Sequence, residues 1–206
     1  MKEDVLEQIV DDYLQHLGYF TRHNIRFRPS RDHSEWVTKN DSAHSDVDVV
    51  GIHPLKSGVD RVWVVSCKSW QEGFDSAGLM RDLLGDRGRV WGHFRELWVP
   101  KWSEAFRTTV LDLTGSRKFT YHLAVTRLRG DGEAWVQEPR IAENLDGNPF
   151  QFLTLETMWK TIVDETKTTM ASSEIGRLAQ LLKAARLTDT AVASTGNPGR
   201  SGHPPG

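Results

Sequence analysis

The chain lacks the features that mark several classes of protein. Its single cysteine, Cys67, excludes an internal disulfide framework and fits a reducing compartment. No apolar run approaches the roughly 20 residues that a membrane-spanning helix needs. The N-terminal stretch MKEDVLEQIV is acidic and amphipathic, which is unlike a signal peptide. We therefore expect a cytoplasmic protein that does not enter a membrane.

The signatures of several enzyme chemistries are missing as well. There is no glycine-rich phosphate loop and no G-x-S-x-G nucleophile motif. The eight histidines show no metal-ligand spacing, so a zinc site is not expected. A net charge of −2 gives no overall sign of nucleic-acid binding, although it is compatible with local basic patches. An α/β enzyme of one of these unrelated chemistries therefore has no support.

Hydrophobic periodicity predicts one α/β domain. The composition, with 38% hydrophobic and 26% charged residues among 206, is that of a globular protein with one core. The domain is expected over residues 1–187, and a disordered tail rich in Gly, Pro, Ser and Thr over 188–206. The order of elements predicts a mixed central β-sheet flanked by helices. Strands are predicted at 19–29, 46–52, 61–68, 119–128 and 150–155, and helices at 3–17, 74–84, 102–114 (with Ser103 as candidate N-cap), 156–165 and 172–187.

Two of the predicted strands contain the most informative residues. VDVVG (47–51) and VVSCKSW (64–70) are apolar runs, and they carry the charged residues Asp48 and Lys68. Buried strands seldom carry a charge, because a desolvated charge is costly unless it is paired or used. The spacing of 20 residues suits neighbouring strands joined by a turn, and strand alternation puts Ser66 and Lys68 on one face. An acid beside a lysine at a sheet edge suits phosphodiester cleavage, since the acid holds a hard cation and the lysine stabilises developing charge.

These motifs resemble those of the PD-(D/E)xK nuclease superfamily, in particular its Mrr-type and Holliday-junction-resolvase-like members. VDVVG matches the second strand of that family, and VSCKSW matches the third. The helix ending in QHLGYF carries Glu7 eleven residues before Gly18, where the family often places its first metal-binding acid. FLTLETMW (152–159) resembles the last strand and helix of Mrr-type members, so the resemblance spans roughly residues 3–165.

The resemblance implies a restriction-endonuclease-like core and an endonuclease that cleaves DNA with Mg²⁺ or Mn²⁺. It implies that Asp48 and Glu7 bind the metal together with the main-chain carbonyl of Cys67. It also implies that Lys68 activates or orients the attacking water. DNA is the implied partner, and a homodimer is plausible because cutting both strands with one site per chain needs two chains or two events.

One departure from the family pattern concerns the position two residues before the lysine. The family has an acid there, whereas this chain has Ser66, which cannot supply negative charge to a metal. In one interpretation an acid from the following segment replaces it, and Glu72, Asp75 and Asp82 are the candidates. Ser66 itself would then bind the attacking water or only fill space. In the other interpretation the site is degenerate, and the domain binds nucleic acid or a protein partner without cleaving.

Several residues near the motifs are candidates for contacting DNA. A basic run is more often a solvated face, and a tryptophan more often packs in the core. Each of these residues therefore either contacts DNA or has an ordinary structural role. Sequence specificity would come from the loops at 30–45 and 86–100 or from a partner. The candidates are Arg26, Arg28, Arg81, Arg87, Gln71 and Trp70.

Overall fold

Helices and strands follow one another along the chain largely as the periodicity predicts. The computed structural model describes residues 4–87, 90–167 and 169–187, so the predicted disordered tail at 188–206 lies outside the described residues. The strands are β1 (Phe20–Phe27), β2 (Ser45–Ile52), β3 (Val62–Lys68), β4 (Phe74–Asp75), β5 (Thr120–Val125), β6 (Leu128–Arg129) and β7 (Phe150–Thr154). The helices are α1 (Val5–His16), α2 (Thr38–Asp41), α3 (Ser76–Leu84), α4 (Arg95–Trp98), α5 (Pro100–Thr114), α6 (Glu133–Val136), α7 (Pro139–Asn144), α8 (Leu155–Glu165) and α9 (Glu174–Ala184). Within the described ranges, no helix combines the length and apolar composition needed to cross a bilayer.

A five-stranded mixed sheet organises the fold in the order β1-β2-β3-β5-β7. β1, β2 and β3 are antiparallel neighbours, which short connections can join. β3, β5 and β7 are parallel neighbours, which require crossovers through helices. The α/β class with a mixed central sheet is thereby confirmed. A second, two-stranded parallel pair is formed by β4 and β6.

Helices cover both faces of the sheet and produce two apolar cores. The first core joins sheet residues such as Val64 and Tyr121 to buried aromatic side chains that include Phe94 and Phe106. The second core joins Val65 and its neighbours to the helices α1, α8 and α9. Because both faces are covered, β5 is buried along its whole length, as expected for the interior of a parallel region.

The start of α5 differs from the prediction. Ser103 was the candidate N-cap, but α5 begins at Pro100 and Val99 occupies the capping position. Proline suits the first helical position, where its missing N–H is not needed and its φ angle is already helical. Ser103 is instead fully buried inside the helix, where its hydroxyl donates to the Glu96 carbonyl at 2.7 Å.

The sheet forks at one end of β3. The paired residues of β2 and β3 run from Ile52–Val62 to Val49–Val65, whereas β3 stays paired with β5 as far as Lys68. Val49 is therefore the last residue of β2 that pairs with β3, and its neighbour Asp48 lies where the two strands separate. The fork frees main-chain groups of β3 for side-chain partners, and the candidate site lies there.

Candidate active site

Asp48 of β2 bridges the fork by a side-chain hydrogen bond to the main chain of β3. Its Oδ2 accepts a hydrogen bond from the Cys67 amide at 2.5 Å, which replaces the missing ladder bond. Burial raises the pKa of Asp48, while the Cys67 amide, the Lys68 charge and a hydrogen bond from Ser66 act in the opposite direction. The carboxylate is thus half-buried, and its position is set by the main chain of the neighbouring strand.

Lys68 ends β3 beside this carboxylate. Its Nζ donates to Ser66 Oγ at 3.2 Å and lies 5.8 Å from the centroid of the Phe94 ring. The ring limits where the lysine stem can lie and can interact with the ammonium through its π face. The charge of Lys68 also lowers the pKa of Asp48, so the two side chains lie close enough to interact, as the strand pattern predicts.

Ser66 and Cys67 point to opposite sides of β3. The Ser66 side chain is buried, with 3% exposed surface, on the same face as Lys68. The Cys67 thiol packs against the second core, and burial together with the charge of Asp48 raises its pKa well above the usual value. The cysteine side chain is therefore a packing group, and only its main chain faces the fork.

Glu7 reaches the site from α1. The first turn of this helix is held by Asp4, whose carboxylate caps the Leu6 amide at 2.9 Å and accepts a short hydrogen bond from Ser69. Burial raises the pKa of Glu7 from 4.5 to about 7, with further increases from the charges of Asp48 and Asp4. The charge of Asp48 acts on Glu7 only because the two carboxyl groups are near each other, so α1 presents Glu7 to the same site.

The three candidates for a relocated acid occupy other environments. Glu72 is exposed, and Asp82 is half-buried on α3. Asp75 caps α3 through the Gly78 amide at 3.1 Å and pairs with Arg129 at 3.8 Å. The carboxylates that act most strongly on Glu7 are Asp48 and Asp4, not these three.

A buried acid that sequence reasoning missed lies close to the lysine. Glu96, on α4, is only 4% exposed, and its Oε1 accepts a hydrogen bond from the Tyr121 hydroxyl at 2.5 Å. Burial raises the pKa of Glu96 overall, although the charge of Lys68 and the hydrogen bond from Tyr121 act in the opposite direction. The available signal was an acid within the apolar run FRELWV, the same signal that drew attention to Asp48.

The site's oxygen atoms suit a hard cation. Mg²⁺ prefers oxygen ligands, needs few of them from the protein and keeps several waters. Glu7, Asp48 and the Cys67 carbonyl supply such ligands, and the raised pKa of Glu7 shows negative charge that a cation would compensate. Within the described residues, no group of three or more His, Cys, Asp or Glu side chains is arranged to hold a metal, which agrees with serine at position 66.

The candidate DNA-contacting residues are spread over several elements. Arg81, Arg87 and Gln71 are exposed near or on α3, and Arg26 is exposed on the edge strand β1. Their guanidinium and amide groups are thus open to a ligand.

Two further candidates have partners within the protein. Arg28 donates to the Ser42 carbonyl at 3.3 Å and lies 6.0 Å from the centroid of the Trp36 ring. Trp70 stacks on Phe74, with ring centroids 5.6 Å apart and planes 7° from parallel. One face of the Trp70 indole is therefore occupied by the core.

Comparisons with family models, curated proteins and solved structures found no match to this chain. The fold and the site define an α/β protein with a mixed sheet, an acid-and-lysine pair at a strand fork and a second acid from the first helix. Functional inference therefore depends on the residues of this site.

Proposed function

We propose that this protein is a metal-dependent endodeoxyribonuclease with a restriction-endonuclease-like core. The observation that carries the proposal is the arrangement at the fork. Asp48 is fixed on the Cys67 amide, and the Lys68 ammonium is close enough to act on its pKa. Glu7 approaches from α1. Carboxylates beside a lysine at an accessible sheet end are suited to hydrolysis of a phosphodiester bond.

Each residue has a distinct part in the proposed mechanism. Asp48, Glu7 and the main-chain carbonyl of Cys67 would hold Mg²⁺ or Mn²⁺, which supplies polarisation of the phosphate and of the attacking water. Lys68 would orient that water and stabilise the charge that develops on the phosphate oxygens. Ser66 holds the lysine through the 3.2 Å contact with Nζ.

DNA is the proposed substrate, and a cytoplasmic setting is part of the proposal. The exposed guanidinium groups of Arg26, Arg81 and Arg87 support backbone contacts, since phosphates are bound mainly by such groups. Cleavage of both strands would require two chains or two successive events, so we also propose a homodimer on DNA.

The direct test is cleavage of supercoiled plasmid by purified protein with Mg²⁺, with Mn²⁺ and with EDTA. We expect metal-dependent nicking that falls about 100-fold or more in Asp48→Ala and in Lys68→Ala, because each removes a group that acts on the transition state. Matched controls are Asp164→Ala and Lys160→Ala, both exposed on α8, with circular dichroism confirming folding of each variant. Undiminished cleavage by either site variant would refute the assignment.

A second candidate function is a nuclease-like domain that binds nucleic acid or a protein partner without cleaving. Serine at position 66 and the lack of a three-ligand group among the described residues favour it. Absence of cleavage by a folded protein, together with DNA binding that Mg²⁺ strengthens, would support this function over the first. Calorimetry of Mg²⁺ binding to the wild type and to Asp48→Ala separates the two candidates further.

A further inference from the structure

The buried carboxylate of Glu96 needs an explanation that the proposed mechanism does not provide. Glu96 is 4% exposed and lies under the face of the sheet that carries Lys68. Burying a carboxylate is unfavourable unless the charge is paired or hydrogen-bonded. The partner of Glu96 is Tyr121, a fully buried residue of β5 whose hydroxyl donates to Oε1 at 2.5 Å. This hydrogen bond and the charge of Lys68 partly offset the rise in the pKa of Glu96 that burial causes.

The hydrogen bond between Tyr121 and Glu96 lies on the same face of the sheet as the contact between Lys68 and Ser66. Tyr121 has one hydroxyl proton and gives it to Glu96, so its oxygen is left to accept. Ser66 lies on the neighbouring strand, close enough to affect the pKa of Tyr121. Lys68 Nζ donates to Ser66 Oγ at 3.2 Å, so Ser66 accepts from the lysine. Val64, two residues before Ser66, pairs with Tyr121, which puts the side chains of Ser66 and Tyr121 on one face of the sheet.

We propose that Tyr121 and Glu96 are positioning residues for Lys68, acting through Ser66. This inference rests on the proposed function, in which Lys68 acts on the phosphate and the water. Glu96, held by Tyr121, places a carboxyl group beneath the face of the sheet that carries Ser66 and Lys68, where Ser66 itself supplies no charge.

Holding Lys68 through a neutral hydroxyl has a physical advantage over holding it in a direct ion pair. A carboxylate in contact with Lys68 would hold the ammonium and compete with the phosphate for it. A neutral hydroxyl takes only one of the three ammonium protons, and the other two stay available to water and substrate. Among the described residues Lys68 forms no ion pair within 4.0 Å, as this arrangement requires.

The test uses Glu96→Gln, Tyr121→Phe and Ser66→Ala in the full chain with supercoiled plasmid and Mg²⁺. We expect each to lower kcat by about 10- to 100-fold with KM for DNA unchanged, the range typical for residues that orient a group in contact with substrate. Glu96→Gln keeps an oxygen acceptor and removes the charge, so a role in shape alone predicts no loss. In a Lys68→Ala background, Glu96→Gln should reduce kcat no further, because both act through one group.

The matched controls are buried residues of the same types on the other side of the sheet. Asp12, 4% exposed, accepts from the Ser173 hydroxyl at 2.6 Å, so Asp12→Asn matches Glu96→Gln. Tyr19, 3% exposed, donates to the Asp60 carbonyl at 2.8 Å, so Tyr19→Phe matches Tyr121→Phe. Equal kcat values in the site variants and their controls would overturn the proposal.

A second measurement keeps the inference separate from the proposed function. Side-chain NMR of ¹³C-labelled lysine reports the mobility of Lys68 with or without cleavage. If the wild type does not cleave, the proposed function fails, and the mobility of Lys68 then decides the inference. Greater mobility of the Lys68 side chain in Tyr121→Phe and Glu96→Gln than in the controls supports the positioning role, and unchanged mobility overturns it.

Discussion

At the scale of single residues, Glu7 lies in surroundings that disfavour its ionised form. Its pKa is raised from 4.5 to about 7 by burial and by the neighbouring charges of Asp48 and Asp4. The folded state therefore holds this proton more tightly than the unfolded state does. The stabilising contribution is present below about pH 4.5 and is lost as the pH rises through 7. At higher pH the ionised carboxylate opposes folding unless a cation compensates it.

We predict that Glu7→Gln raises the melting temperature of the metal-free protein at pH 8, because glutamine cannot ionise. We also predict that Mg²⁺ stabilises the wild type more than Glu7→Gln, since binding to the folded state raises stability. Thermal melts with Mg²⁺ and with EDTA measure both effects, with the exposed Glu165→Gln as control. An equal Mg²⁺ effect in the two proteins would remove Glu7 from the proposed metal site.

His122 is a second residue whose environment has a measurable consequence. It is 2% exposed in β5, its ring lies 4.1 Å from that of Trp63, and neither ring nitrogen bonds to a described residue. Burial lowers its pKa from 6.5 to about 4. The unfolded state therefore binds the proton more tightly, so stability is present above pH 6.5 and is lost as the pH falls towards 4.

We predict that the free energy of unfolding falls between pH 6.5 and 4 by up to about 3 kcal/mol from this residue alone, since one pKa unit corresponds to about 1.4 kcal/mol. His122→Leu removes the titrating group at similar volume and should flatten this part of the profile. Urea unfolding at several pH values provides the measurement. A profile equally steep in the variant would show that other groups cause the slope.

At the scale of elements, the polar segment before β2 is held on α5 by one buried acid. Asp41, with no exposed surface, accepts from Lys101 Nζ at 2.7 Å, from the Val37 amide at 2.7 Å and from the Trp102 indole at 3.1 Å. Burial by itself raises the pKa of Asp41, but these hydrogen bonds and the Lys101 charge lower it overall. The segment that composition describes as an irregular loop thus contains the one-turn helix α2 and is attached through Asp41 to the start of α5.

We predict that Lys101→Ala lowers the free energy of unfolding by about 3–5 kcal/mol, because it leaves the Asp41 carboxylate buried without its cation. The double variant Asp41→Asn with Lys101→Met should recover part of the loss, since it removes both charges. Urea unfolding of the single and double variants tests this. A double variant less stable than Lys101→Ala would show that the lysine acts mainly through other contacts.

At the scale of the whole molecule, one sheet separates two cores and joins them into one folding unit. Phe106 lies fully buried in the first core, and Met158 lies fully buried in the second. Strands β2, β3 and β5 contribute alternate side chains to both cores. Loss of either core therefore removes support from the same strands.

We predict that Phe106→Ala and Met158→Ala each destabilise the protein, by about 3–5 and about 2–5 kcal/mol respectively. Their effects should add in the double variant, because the sheet keeps the two side chains apart. Unfolding should remain a single transition when followed by circular dichroism and by tryptophan fluorescence. Two separate transitions would mean that the faces of the sheet unfold independently.

Much of the fold follows from local pattern, and the exceptions have physical causes. Apolar runs rich in strand-forming residues predict β2, β3, β5 and β7, and helical periodicity predicts α1 and α8. The predicted helix 74–84 begins only at Ser76, after the short strand β4, and the predicted strand 119–128 ends at Val125, before the separate strand β6. The short helices α2, α4, α6 and α7 were not predicted, because they are stabilised by tertiary contacts. The indole of Trp135, for example, donates to the Ser76 carbonyl at 2.8 Å across the structure.

The amino-acid sequence by itself determined the candidate pair and the class of fold. Asp48 and Lys68 could be identified because a charge within an apolar strand is costly, and that cost depends only on local composition. Tertiary structure decided which other groups meet them. It placed Glu7 of α1 close enough to Asp48 for their charges to interact. It also buried Glu96 against Tyr121 on the face of the sheet that carries Lys68. Contacts between residues distant in the chain depend on strand order and on helix packing, which no local pattern specifies.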